Sequence, residues 1–267
     1  MTVRYIDAHS HLQFEQFAED RGALIEQMRV QGIAGVVVGV DLITSRGAFA
    51  LTEDAEHLYA SVGLHPNHAG LEYFDEAAYR ALAAHPKVVA IGECGLDFFR
   101  LDGDKLEQKQ VQKELLQKHI ELAVGANKPL IIHCRPTKGT TDAYQDLIEI
   151  LKEAKATHPT LRGDIHFFVG GVEESKALIA LNFTVSFTAV ITFARDYDDV
   201  IRSVPLKYIL SETDAPYLAP LTRRGERNDP IAVIDVVEKI AEIRGENTET
   251  VRTALLENAR RVFALPG

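Results

Sequence analysis

The sequence contains no tryptophan, two methionines and only two cysteines. Two cysteines, Cys94 and Cys134, cannot supply the disulfide framework of a small secreted domain. Both read as small buried hydrophobes. Long apolar runs are missing as well. None approaches the roughly 20 residues that span a bilayer, and no leader precedes the first motif, so a cytoplasmic protein with no membrane partner is expected. Positive charge is short: 29 Lys and Arg stand against 39 Asp and Glu, a formal net charge of −10. That balance argues against the broad basic surface that duplex DNA requires. No low-complexity linker, short repeat or domain boundary is visible. At 267 residues the chain matches one α/β barrel of about 250, and residues 1–267 are read as a single domain.

What the chain does have is alternation. Short apolar runs suited to strands recur from end to end: RYIDAH, GVVVGV, YASVGLH, VVAIGECGLD, PLIIHC, GDIHFF, TVSFT and KYILSETD. Amphipathic stretches separate them, the clearest being DKLEQKQVQKELLQKHIELAVGANK. Strand–helix alternation implies parallel strands joined by right-handed crossovers. Eight such units imply an α/β fold of the (β/α)8 TIM-barrel type. Two further helices are expected at Asp229 to Arg244 and about Thr248 to Phe263, the second capped by Asn247 or Thr248. Val251, Leu255, Ala259 and Phe263 recur every fourth residue, so this extra C-terminal helix should bury one face.

Polar residues fall at the strand ends, where such barrels carry their chemistry. His9 and His11 close the first strand; as i and i+2 they face the same way. His65 follows the third strand, Glu93 lies on the fourth, His133 on the fifth and His166 on the sixth. Glu212 and Asp214 end the eighth, and alternation puts them on one face. Ionisable groups after runs such as VVAIG or LII are costly to bury without a partner or a metal. Of the ten histidines, the other five read as structural or surface. His85 and His158 precede prolines at helix ends. His57 and His119 are expected in helices, on the surface or partly packed, and His68 in a loop near His65.

Together, HxH near the amino terminus, GLHP, GECGLDFF, IIHCR, HFFVGG and ETDAPYLAP resemble the TatD-related deoxyribonucleases, metal-dependent TIM-barrel hydrolases of the amidohydrolase-like group. The resemblance runs through ENARRVF in the final helix. It implies two divalent cations (Mg, Mn or Zn) at the barrel mouth, one held by His9 and His11, the other by His133 and His166, with Glu93 bridging. Asp214 would complete the first site and contact the nucleophilic water, while His65 and Glu212 would assist catalysis. Two departures bear on substrate preference: Pro136 follows IIHCR where an acid is common, and Arg223 stands where a histidine is more usual.

Two metal ions about 3.5–4 Å apart can stabilise both the attacking and the leaving oxygen of a phosphodiester. Arg135, Arg224, Arg227 and Asn228 are candidate substrate contacts, the arginines suited to phosphate forks. Phe98 or Phe99 could stack on a base or pack against the next helix. The resemblance and the acidic surface together imply a 3′–5′ exonuclease on single-stranded DNA or RNA. The competing readings are a hydrolase of an amide, lactone or other carboxylic ester, and a catalytically silent binding barrel. The oligomeric state is left open, a monomer included.

Overall fold

The computed structural model describes residues 1–101 and 105–266. Eight strands run in chain order: β1 (Tyr5–Ser10), β2 (Ile33–Val38), β3 (Leu58–Val62), β4 (Val88–Asp97), β5 (Leu130–Arg135), β6 (Gly163–His166), β7 (Phe183–Phe187) and β8 (Ile209–Ser211). Each pairs in parallel with the next. The helices between them are α1 (Arg21–Gln31), α2 (Leu42–Leu51), α3 (Glu76–Ala83), α4 (Lys105–Ala126), α5 (Asp142–Thr157), α6 (Val172–Ala180) and α7 (Asp198–Ser203), with α8 (Val233–Arg244) and α9 (Thr248–Phe263) after β8. This is the (β/α)8 barrel with an added terminal helix. Among the described residues no helix is long and apolar enough to cross a membrane.

The ring closes between its first and last strands. The regular part of β8 is only three residues long, shorter than the expected KYILSETD strand. Its irregular continuation still pairs back to β1: Asp214 N–H donates to the His9 carbonyl at 2.9 Å and His11 N–H to the Ala215 carbonyl at 2.8 Å. The Asp7 carboxylate reinforces this seam by accepting from the backbone N–H and the hydroxyl of Thr213, at 2.8 and 2.7 Å. Burial holds the Asp7 carboxyl well above its usual range, against the lowering effect of these bonds.

Local signals explain the helix ends. Asp41 caps α2 with a reciprocal bond to Thr44. Asn247, not Thr248, caps α9, accepting from the N–H groups of Glu249 and Thr250. As expected, α9 buries Val251, Leu255, Ala259 and Phe263. Its Asn258 donates to the Leu206 and Ile209 carbonyls, and Arg252 reaches the Arg4 carbonyl. These are the amino ends of β8 and β1, so α9 covers the end of the barrel opposite His9 and His11. Leu256, Ala259, Val262 and Phe263 complete an apolar cluster with Ile6, Ala8, Val36, Val38, Ala90, Ile131 and Leu210.

Two histidines differ from expectation. His57 lies in the turn before β3 rather than in a helix, and its Nε2 meets the Ile25 carbonyl at 3.1 Å. His119 lies in α4 but is fully buried. Its Nδ1 sits 2.8 Å from the Leu115 carbonyl and its Nε2 accepts the Leu64 N–H at 3.0 Å. The ring therefore fixes the backbone next to His65. Cys94 and Cys134 are both buried free thiols, as read from sequence.

Candidate active site

Glu93 owes its place to two glycines. In GECG, Gly92 has φ +145° and Gly95 φ +133°, conformations an L side chain rarely adopts. A Cβ at Gly92 would come within 2.3 Å of the Ile131 carbonyl oxygen, and one at Gly95 within 2.0 Å of the His133 carbonyl oxygen. The pairing register of β4 on β5 shifts between Ile91 and Cys94, and Glu93 is delivered, nearly fully buried, into a ring of imidazoles.

On one carboxylate oxygen, Oε2, face His9 Nε2 at 3.4 Å and His11 Nε2 at 3.8 Å. Facing the other, Oε1, are His133 Nδ1 at 3.1 Å, His65 Nε2 at 3.3 Å and His166 Nε2 at 3.8 Å. Asp214 Oδ1 lies 3.5 Å from His11 Nε2 and 4.0 Å from both His9 and His166. Three triads thus bring ligand atoms within 4.8 Å of one another: His9–His11–Glu93, His65–Glu93–His133 and His9–His166–Asp214. Two atoms that share one ion at about 2.1 Å each, tetrahedrally disposed, stand about 3.4 Å apart. The His9–His11 nitrogens are 3.3 Å apart, and the His9–Glu93 pair matches too. These residues fit a divalent cation.

Proximity sets His65 beside His133, where His166 was the expected companion. Contacts behind the rings separate their roles, hydrogen bonds for His11 and His133 and an ion pair without hydrogen-bond geometry for His166. His11 Nδ1 faces the Val38 carbonyl at 2.8 Å and His133 Nε2 faces Asp97 Oδ2 at 3.2 Å. His166 Nδ1 lies 2.9 Å from Glu212 Oε1. An acceptor behind the ring takes its proton and leaves the other nitrogen's lone pair free for a metal. His65 is the reverse: its Nδ1 accepts the Asn67 N–H at 3.1 Å, so Nε2 carries the proton and donates toward Glu93. These contacts leave a lone pair facing the site on His11 and His133, whereas His65 points an N–H at Glu93.

The same contacts set the electrostatics of the ring. Burial alone would raise the Glu93 carboxyl, but His65, His133 and His9 hold it well below the usual range. Asp214 is likewise kept low against burial, chiefly by His11. Burial would lower His166, yet the charge of Glu212 pushes it up to about 10. Burial lowers His65, which is therefore neutral at pH 7.

Acids that the sequence reading passed over support the ring. Besides Asp97, the buried Asp164 accepts from the Thr184 hydroxyl and meets the Ser186 hydroxyl, each at 2.6 Å. The Ser186 hydroxyl also meets Glu212 Oε2 at 2.8 Å. One hydroxyl proton cannot serve two carboxylates, so one acid brings its own. Burial and the Glu212 charge hold Asp164 above the carboxylate range, making it that acid. Glu212, which further accepts the Phe167 N–H at 2.7 Å, thereby orients His166. A signal was present: an acid stands two residues before a site residue in Asp7–His9, Asp164–His166 and Glu212–Asp214.

The proposed substrate contacts separate. Arg135 lines the mouth cavity of about 630 Å³ together with His65, Glu93, His133, His166 and Asp214. Its guanidinium lies over Phe99. Arg224 covers Phe193. Arg227 is held by Asp20 and the Gln16 carbonyl. Asn228 is a correction: it is fully buried and its amide donates to the Thr213 carbonyl at 3.0 Å, bracing the strand end that bears Asp214. Arg223 pairs with Asp229. Phe98 is core, and only Phe99 is exposed.

Residues 6–264 match the family model described as TatD related DNase. The chain belongs to the TatD-related DNase family. A Bacillus subtilis relative named as the metal-dependent hydrolase YabD is 38% identical, with 97% of this chain and 98% of that protein covered. An Erwinia billingiae relative named 3′-5′ ssDNA/RNA exonuclease TatD is 32% identical, with 97% and 99% covered. The crystal structure of YJJV, a TatD homolog from Escherichia coli, is 29% identical with a TM-score of 0.85, each chain covered completely. This TatD-family chain is accordingly a metal-dependent hydrolase, its His, Glu and Asp clusters able to hold metal.

Proposed function

We propose that this TatD-family protein cuts phosphodiester bonds at the 3′ end of single-stranded DNA or RNA, in the cytoplasm. The observation that carries the reading is Glu93, whose two oxygens each face their own histidine set. His9, His11 and Asp214 would hold one divalent ion and His133 and His166 a second, with Glu93 between them. When bound, such ions supply positive charge for the phosphate and lower the pKa of water. Asp214, kept ionised by His11, takes the proton of the attacking water. Neutral His65 donates from Nε2 to Glu93 and fixes that carboxylate's orientation. The Glu212 carboxylate holds His166 through the ion pair to its Nδ1. Arg135 and Arg224 offer guanidinium groups to the phosphates of the chain.

The exonuclease name of the Erwinia relative and the net charge of −10 both support a single-strand end over a duplex, because few cations are available to hold a duplex. The test is a time course on 3′-labelled and 5′-labelled oligonucleotides, single-stranded and annealed, with each of Mg, Mn and Zn. Mononucleotides released first from the 3′ end of the single strand are expected. Early mid-chain fragments, equal rates on duplex, or hydrolysis of lactones alone would overturn the reading.

A further inference from the structure

Three arginines place their guanidinium carbons over phenylalanine rings: Arg135 over Phe99 at 3.9 Å, Arg224 over Phe193 at 4.1 Å and Arg227 over Phe17 at 4.5 Å. Their edges differ. Arg227 is bound to Asp20. Among the described residues, neither Arg135 nor Arg224 has an acidic partner, and of these two only Arg135 lines the central cavity. Its platform, Phe99, is 47% exposed, so core packing does not account for that ring. Stacking occupies the flat face of a guanidinium and leaves its N–H edge free. It also limits the side chain's freedom in advance, which reduces the cost of docking an anion.

We propose that Arg135, pre-set by Phe99, clamps the phosphate next to the one being cut. This rests on the phosphodiesterase reading above and deepens it, because such a site selects a chain with at least two linkages. The position follows from the strand. His133 and Arg135 are two residues apart on β5, about 6.6 Å along it, so Arg135 sits one step outward from the Glu93 ring. That offset is on the scale of one nucleotide repeat of an extended strand. A lactone or a simple carboxylic ester has no second anion for Arg135 to hold.

The experiment uses the metal-loaded protein and single-stranded oligonucleotides carrying one uncharged methylphosphonate at each linkage in turn near the 3′ end. On the unmodified strand, Arg135→Gln is expected to lower kcat/KM about 10- to 100-fold, mostly through KM. Placed at the clamped linkage, the methylphosphonate should cost the wild type a similar factor and Arg135→Gln less than about twofold more, since the contact is already gone. Arg135→Gln should also flatten the slope of log KM against log salt by about 0.7, the share of one single-strand phosphate. Phe99→Leu should reproduce part of the loss at the same linkage, and Phe99→Tyr should restore it. Thermal melting of each variant checks folding. Losses that multiply at every linkage, or an Arg135→Gln enzyme with unchanged KM and salt slope, would overturn the clamp while leaving the phosphodiesterase reading intact. A wild type that cuts no oligonucleotide with any of the metals would overturn both.

Discussion

At Glu93 a single carboxylate sits within reach of five imidazoles. Glu93→Gln keeps the shape and removes the charge that two cations would share. Turnover is expected to fall about 10²–10³-fold or more. The metal-free Tm should stay within about 4 °C, while the Tm gain on adding a divalent ion should vanish. A large loss of metal-free stability would make Glu93 structural instead. His119 supplies a pH prediction. Burial lowers its pKa from 6.5 to about 4, so the folded state binds fewer protons than the unfolded state between those values. Its contribution to stability is present above about pH 6.5 and lost as pH falls toward 4. At roughly 1.4 kcal/mol per unit, the loss is on the order of 3 kcal/mol. Urea unfolding at pH 7 and pH 4.5 should show His119→Gln losing less stability than the wild type on acidification. An equal loss would remove His119 from the account. The ligand candidates were legible because a histidine or acid ending an apolar strand stands out against its surroundings. His119 was not, since a helical sequence does not reveal which residue meets a backbone N–H donated by a loop distant in sequence.

At the scale of elements, β4 matched its apolar run, VVAIGECGLD, at both ends, whereas β8 did not. Regular pairing in β8 stops at Ser211, because the continuation turns to meet β1 and Asp214 adopts φ +53°, which Asp tolerates better than most residues. Periodicity registers apolar alternation, not a backbone that changes partner. The meaning of the glycines in GECG was equally hidden, since only the approach of β5 makes a Cβ there intolerable. Gly95→Ala is therefore expected to cost at least about 2–3 kcal/mol and to displace His133. Denaturant unfolding and metal titration of the variant check both effects. By contrast, Asn247→Ala at the start of α9 should cost about 1 kcal/mol and leave metal affinity unchanged, since that helix lies at the far end of the barrel.

Across the whole molecule, chelation of divalent ions should abolish turnover and re-addition restore it; activity in protein shown metal-free by elemental analysis would refute the assignment. The seam gives the cage a second significance. His9 and His11 belong to the first strand, and Asp214 follows the last. The neighbouring Asp7–Thr213 bond already joins positions 206 apart in sequence. An ion held by His9, His11 and Asp214 would act as a clasp on a ring that the covalent chain leaves open. A clasp restricts the conformations of the opened chain, and a cross-link around a loop of this size can be worth several kcal/mol in that way. Hydrogen exchange should then slow on metal binding most strongly at the amides of β1 and of residues 209–215, well beyond the ligands themselves. The barrel would breathe at its seam when empty and stop breathing when loaded.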